Sequence, residues 1–144
     1  MISYFAEKTE MPKIRKREIS AWIKTVAAER GFRVGEVSCI FCSDEYILRI
    51  NREYLQHDYY TDIITFDYTE KNRISGDIFI SLDTVSSNAE KFGVSFEDEL
   101  HRVIIHGILH LCGINDKTPE ERETMKRCED EALFYLSVKR QGSL

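Results

Sequence analysis

The chain is short of several things, and each shortage excludes a class. No apolar run approaches the ~20 residues that span a bilayer, so no transmembrane helix is expected. The opening residues, Met1 to Lys8, lack the basic-then-apolar layout of a secretory leader. Only two prolines occur, Pro12 and Pro119, and there is no internal repeat, low-complexity tract or evident linker. Cysteine is limited to Cys39, Cys42, Cys112 and Cys128. Cys39 and Cys42 have the spacing of half a zinc ribbon, but no second close pair completes it. They fall in a segment that reads as a strand, where residues three apart point to opposite faces. Buried, reduced thiols are the expectation, and the chain reads as cytoplasmic. Positive charge does not dominate either. The formal net charge is −5, which argues against non-specific coating of nucleic acid and leaves room for a local basic groove.

What is present fits one folded domain over residues 1–144. Residues 2–6 form a candidate short strand. Residues 16–30 carry an apolar stripe, Ile19, Trp22, Ile23, Val26 and Ala27, ended by Gly31. Residues 34–42 alternate, with Val37, Cys39 and Phe41 on one face. Ser43 caps a helix in which Ile47, Ile50 and Tyr54 share a face. Strands at 61–68 (Ile64, Phe66 and Tyr68 on one side) and 74–81 are expected to pair as a hairpin around Glu70, Lys71 and Asn72. Leu82, Val85, Ala89 and Phe92 mark a short helix closed by Gly93.

Ser95 to Asp98 resembles a capping box and opens a helix that is apolar nearly all round, as a helix at the centre of a domain is. Thr118, Pro119 and Glu121 start a last helix, with Met125, Cys128, Ala132, Leu133 and Leu136 as its buried stripe. The expected fold is α+β, a small mixed four-stranded sheet packed with about five helices in a single sheet layer.

Chemistry concentrates in the central helix. His106 and His110 are four residues apart and so lie one turn apart on one face. Gly113 signals a helix stop, and Asp116 follows where the chain can fold back. Two imidazoles and one carboxylate make a three-ligand metal set, which leaves a coordination position open, as catalytic sites do. His101 lies about 140° round the helix from His106 and is expected to be a surface or interface residue. In the H-E-x-x-H metalloprotease pattern a glutamate base follows the first histidine; Gly107 stands there instead. Peptide hydrolysis by that route is disfavoured, and the metal with its bound water must carry more of the work. Gly107 either leaves room for a large substrate or packs closely against a neighbouring element.

With these motifs in view the chain resembles the YbeY family of rRNA-maturation endoribonucleases. The family signature is similar to H-G-x-L-H-L-x-G-Y-D-H, matched by His106, Gly107, Leu109, His110, Leu111 and Gly113. Asn51 to Tyr54 followed by Thr61 to Phe66 resembles N-x-x-Y-R and T-D-V-L-S-F, and Gly76 to Ser81 resembles G-D-I-x-I-S. The resemblance implies a single-strand-specific, metal-dependent endoribonuclease with one Zn2+ per chain. Such an enzyme acts in three-prime-end maturation of small-subunit ribosomal RNA and in ribosome quality control, with the ribosomal small subunit as partner and no organic cofactor.

This chain departs from the family at three places: Asp116 replaces the family's third histidine ligand, Asn115 its aspartate, and Leu55 its arginine. A His-His-Asp set is harder than three histidines and admits Mn2+, Ni2+ or Fe2+ more readily. Arg52 or His57 are the candidates to stand in for the missing arginine. Arg49, Arg52, Lys71 and Arg73 are candidates for the RNA path. The basic run Lys13 to Arg17 reads as a solvated helix end or an electrostatic feature. Asp62 and Asp77 either orient a ligand histidine or cap strand ends. No general base is legible. Two rival functions stay open, a metal-dependent amide or peptide hydrolase and a non-catalytic ribosome-assembly factor with a structural metal.

Overall fold

A computed structural model describes residues 1–57 and 61–142. The order of elements is β1 (Ile2–Glu7), α1 (Lys16–Glu29), β2 (Arg33–Cys42), α2 (Asp44–Leu55), β3 (Ile63–Asp67), β4 (Arg73–Ser81), α3 (Leu82–Phe92), α4 (Phe96–Leu111) and α5 (Pro119–Arg140). The fold is therefore α+β. Strands β1, β2 and β4 run parallel, and β3 adds antiparallel to β4 at the edge, giving the order β1-β2-β4-β3. The expected hairpin closes at Lys71, which adopts a left-handed φ of 54°.

The sheet buries both faces unequally. Val37, Cys39 and Phe41 of β2 and Ile74, Ile78 and Ile80 of β4 face the main core with α1, α4 and α5. Cys42 and Ile64 turn to the other face, where Ile47 and Ile50 of α2 cover them. Strand alternation thus puts Cys39 and Cys42 on opposite sides. All four thiols are free and buried, and burial pushes the Cys39 thiol up to about 12. Trp22 is fully buried and donates its indole N–H to the carbonyl of Ala132 at 2.9 Å, fastening α1 to α5. No helix among the described residues is long and apolar enough to cross a membrane.

Of the two readings of His101, surface or interface, the first needs correction. His101 is 3% exposed, not a surface residue. α4 is enclosed by neighbours on nearly every side, so turning away from His106 carries His101 into the contact with α1, edge-on to Trp22 at 5.9 Å. Tyr54 is 65% exposed and Phe92 60% exposed. Both sit in the last turn of their helices, and Tyr54 meets Phe66 edge-on beside Ile47 and Ile50, the face it was expected to share with them.

α4 is the helix that positions the site. Ser95 accepts the Asp98 N–H at 3.0 Å to start it. Leu100, Val103, Ile104, Ile105, Ile108 and Leu109 are buried round it. Gly107 lies against the sheet so tightly that a Cβ there would meet Ile78 Cγ2 at 2.9 Å and Ile63 Cδ1 at 3.0 Å. Close packing, rather than room for substrate, accounts for this glycine.

Candidate metal centre

The polar face of α4 is one narrow stripe. Arg102, His106 and His110 recur at four-residue steps, and each is only partly buried amid an otherwise buried run. The helix ends in a Schellman turn: the Gly113 N–H bonds the His110 carbonyl at 2.9 Å, and the Ile114 N–H bonds the Leu109 carbonyl at 3.0 Å. Gly113 takes φ of 91° there, a conformation that favours glycine. The reversal carries the chain back across the stripe and presents Asp116.

Two residues on, α5 begins with a complete capping box. Thr118 accepts the Glu121 N–H at 3.1 Å, and the Glu121 carboxylate accepts the Thr118 N–H at 3.0 Å. Arg122 donates to the Lys117 carbonyl at 2.7 Å. Asp116 is therefore held between two anchored helix ends.

His106, His110 and Asp116 offer donor atoms that all lie within 4.8 Å of one another. Asp116 Oδ2 is 3.2 Å from His106 Nε2 and 3.4 Å from His110 Nε2. A tetrahedral ion with bonds of about 2.0–2.2 Å sets its ligands about 3.3–3.6 Å apart, so the two separations to Asp116 are close to that spacing and the group could hold a divalent cation. The tautomer also fits. His106 Nδ1 lies 2.6 Å from Glu129 Oε2; with the Nδ1 proton donated to that carboxylate, the Nε2 lone pair points at the Asp116 side. Burial works to lower the proton affinity of His106, but the hydrogen bond to Glu129 and the charges of Glu129, Asp116 and Asp62 outweigh it and raise it. A cation held there would compete with a proton for the His106 Nε2 lone pair.

The three groups line a cleft of about 310 Å³, together with Thr61, Asp62, Ile63, Thr65, Glu99, Arg102, Val103 and Glu129. Burial raises the proton affinity of Asp62, against the lowering influence of His106. Asp62 and Asp77 thus part company. Asp62 reaches the cleft beside His106. Asp77 follows Gly76, whose Cβ position faces Leu111 of α4, so its own side chain emerges on the other face, where Tyr68 donates to it at 3.4 Å.

Arg49, Arg52, His57, Lys71 and Arg73 are not among the described residues lining the cleft. Arg49 lies over the Tyr46 ring at 5.0 Å, Lys71 occupies the hairpin turn and Arg73 opens β4. Leu55 ends α2 and is partly exposed.

Two residues of the site escaped the sequence reading. Glu129 is 7% exposed, and its signal was a carboxylate inside the apolar stripe of α5, next to Cys128 and three residues before Ala132. The signal for Arg102 was its place one turn before His106.

Comparison with known proteins identifies the family. The sequence profile described as Endoribonuclease YbeY matches residues 3–137. Endoribonuclease YbeY of Phocaeicola vulgatus is 66% identical over 138 residues, covering 96% of this chain and 100% of the relative. The Bacteroides thetaiotaomicron protein of the same name is 65% identical over 132 residues, covering 92% and 96%. A solution structure of a Thermotoga maritima protein superposes with a TM-score of 0.66 at 27% identity, covering 96% of this chain and 93% of that one. The chain belongs to the YbeY endoribonuclease family.

Proposed function

We propose that this protein is a metal-dependent endoribonuclease that cuts single-stranded RNA. Its place is the cytoplasm, in three-prime-end maturation of small-subunit ribosomal RNA and in ribosome quality control. Residues 1–144 act as one domain, with one Zn2+ held by His106, His110 and Asp116. Family membership supports the reaction class. The observation that carries the site is the convergence of two imidazole Nε2 atoms on one Asp116 oxygen, 3.2 and 3.4 Å away.

A zinc ion bound there supplies Lewis acidity toward a phosphoryl oxygen and a lowered pKa for water. The rest falls to the chain. Glu129 orients His106 and keeps its proton on Nδ1. Asp62, partly buried in the wall of the cleft, is the group placed to hold or move a proton at its carboxylate. Gly107 offers no base where a metalloprotease has one, which favours phosphodiester over amide substrates.

The test pairs elemental analysis of purified protein with RNA digestion under a chelator. Zinc near one equivalent is expected, with cleavage lost on chelation while circular dichroism still reports the fold. Asp116→Ala should lose both metal and cleavage. If native, metal-loaded protein cuts no RNA and Asp116→Ala merely lowers Tm and metal content, the protein is an assembly factor with a structural metal. Cleavage of peptides instead of RNA would make it an amide hydrolase.

A further inference from the structure

We infer that Arg102 is a positioning residue for the metal-binding face of His106, acting through Glu129. Its guanidinium forks between two consecutive acids of α5. Nη1 donates to Glu129 Oε1 at 2.8 Å, and Nη2 donates to Asp130 Oδ1 at 2.7 Å. Glu129 gives its second oxygen to His106 Nδ1 at 2.6 Å. Each oxygen of this buried carboxylate is thereby committed to a different partner, which arrests its rotation.

The geometry separates the two tines. The Glu129 tine is buried and continues to the imidazole, whereas Asp130 is about half exposed and pairs among the described residues with Arg102. A plain clamp between α4 and α5 needs either acid and has no use for the onward bond. Arg102 also supplies the positive charge that this wall otherwise lacks. Glu99, Asp62 and Asp116 share the cleft with Glu129, and Arg102 is the one lysine or arginine among the described lining residues. A planar fork suits this better than a lysine, because its donors are fixed relative to one another.

This role rests on the metal centre proposed above, and its test reads metal binding rather than RNA cleavage, so the two can fail separately. Co2+ and Zn2+ affinities are measured by competition with a chromophoric chelator, alongside the visible spectrum of the cobalt form. Arg102→Gln, neutral but polar enough for a half-buried position, should weaken both metals by about 10–100-fold and shift the cobalt bands, as loss of an outer hydrogen-bonding partner does. Asp130→Asn, which removes the other tine, should stay within about fivefold, the reach of one exposed ion pair.

Equal losses in the two variants, or an unchanged cobalt spectrum in Arg102→Gln, would reduce the fork to a helix clamp and overturn the inference. A wild type that binds neither metal overturns it as well. Nitrogen-15 NMR of metal-free wild-type protein, at a pH where His106 is neutral, does not depend on the variant folding. It should show the proton on Nδ1, and a proton on Nε2 would also overturn the inference.

Discussion

Substituting Gly107 by alanine isolates one contact on which the placement of α4 depends. The new methyl would stand 2.9 Å from Ile78 Cγ2, 3.1 Å from Ile78 Cδ1 and 3.0 Å from Ile63 Cδ1. Carbon atoms pack best at about 3.5–4.0 Å, so roughly half an ångström or more must be found. Ile63 is partly exposed and can swing its terminal methyl aside. Ile78 cannot: it is fully buried on an interior strand, and its Cγ2 branches directly from Cβ. Overpacking of this kind costs about 1–3 kcal/mol. Alanine returns about 1 kcal/mol of helix propensity. The net is a destabilisation of about 1 kcal/mol, or about 2–4 °C in Tm for a chain of this size.

Relief by lifting α4 off the sheet would also shift His106, so metal affinity should fall with Tm. Urea unfolding and a zinc competition titration measure the two. Had Gly107 existed to admit substrate, the same variant would be as stable as wild type or more stable, with only RNA turnover impaired. A Tm at or above wild type would refute the packing account.

Two other perturbations test the frame around the site. Thr118→Ala removes the N-cap of α5 next to Asp116 and should cost about 1 kcal/mol, with weaker zinc binding as the anchored segment loosens; an unchanged melt and zinc titration would show that the cap does not hold Asp116. His101 tests acid stability. Burial, reinforced by the Arg140 charge, holds its proton affinity below the ordinary histidine value, against the pull of Glu97, Asp98 and Glu18. The unfolded chain therefore binds more protons than the fold once pH drops through about 6.5, and stability falls with acidification. His101→Phe keeps the contact with Trp22 and removes that loss. In urea melts at about pH 7.5 and about pH 5.5, the variant should gain on wild type at the lower pH, and a constant gap would refute it.

Local chemistry was legible because it is written in short spacings. The four-residue step from His106 to His110, the stop at Gly113 and the cap at Thr118 are properties of one chain segment. They suffice to place two imidazoles on one face and turn a carboxylate back toward them. Strand alternation likewise separates Cys39 from Cys42 whatever the strands pack against. The burial of His101 was not legible in this way, because the angle that carries it away from His106 says nothing about whether water or α1 waits there. Asp62 and Asp77 looked equivalent as polar residues in strand motifs. Only the pairing of β3 with β4, and the side of the sheet on which α4 lies, sends one to the cleft and the other to Tyr68.

The amino-acid order alone thus determined the elements, the caps at Ser43, Ser95 and Thr118, and the nearness of His106, His110 and Asp116 to one another, since each depends on contacts within a few residues. The tertiary structure decided what surrounds that set. Glu129 is 23 positions from His106 and Arg102 27 positions from Glu129. No periodicity links a residue on α4 to one on α5 until the hydrophobic stripes of the two helices dock and bring the buried carboxylate onto the imidazole.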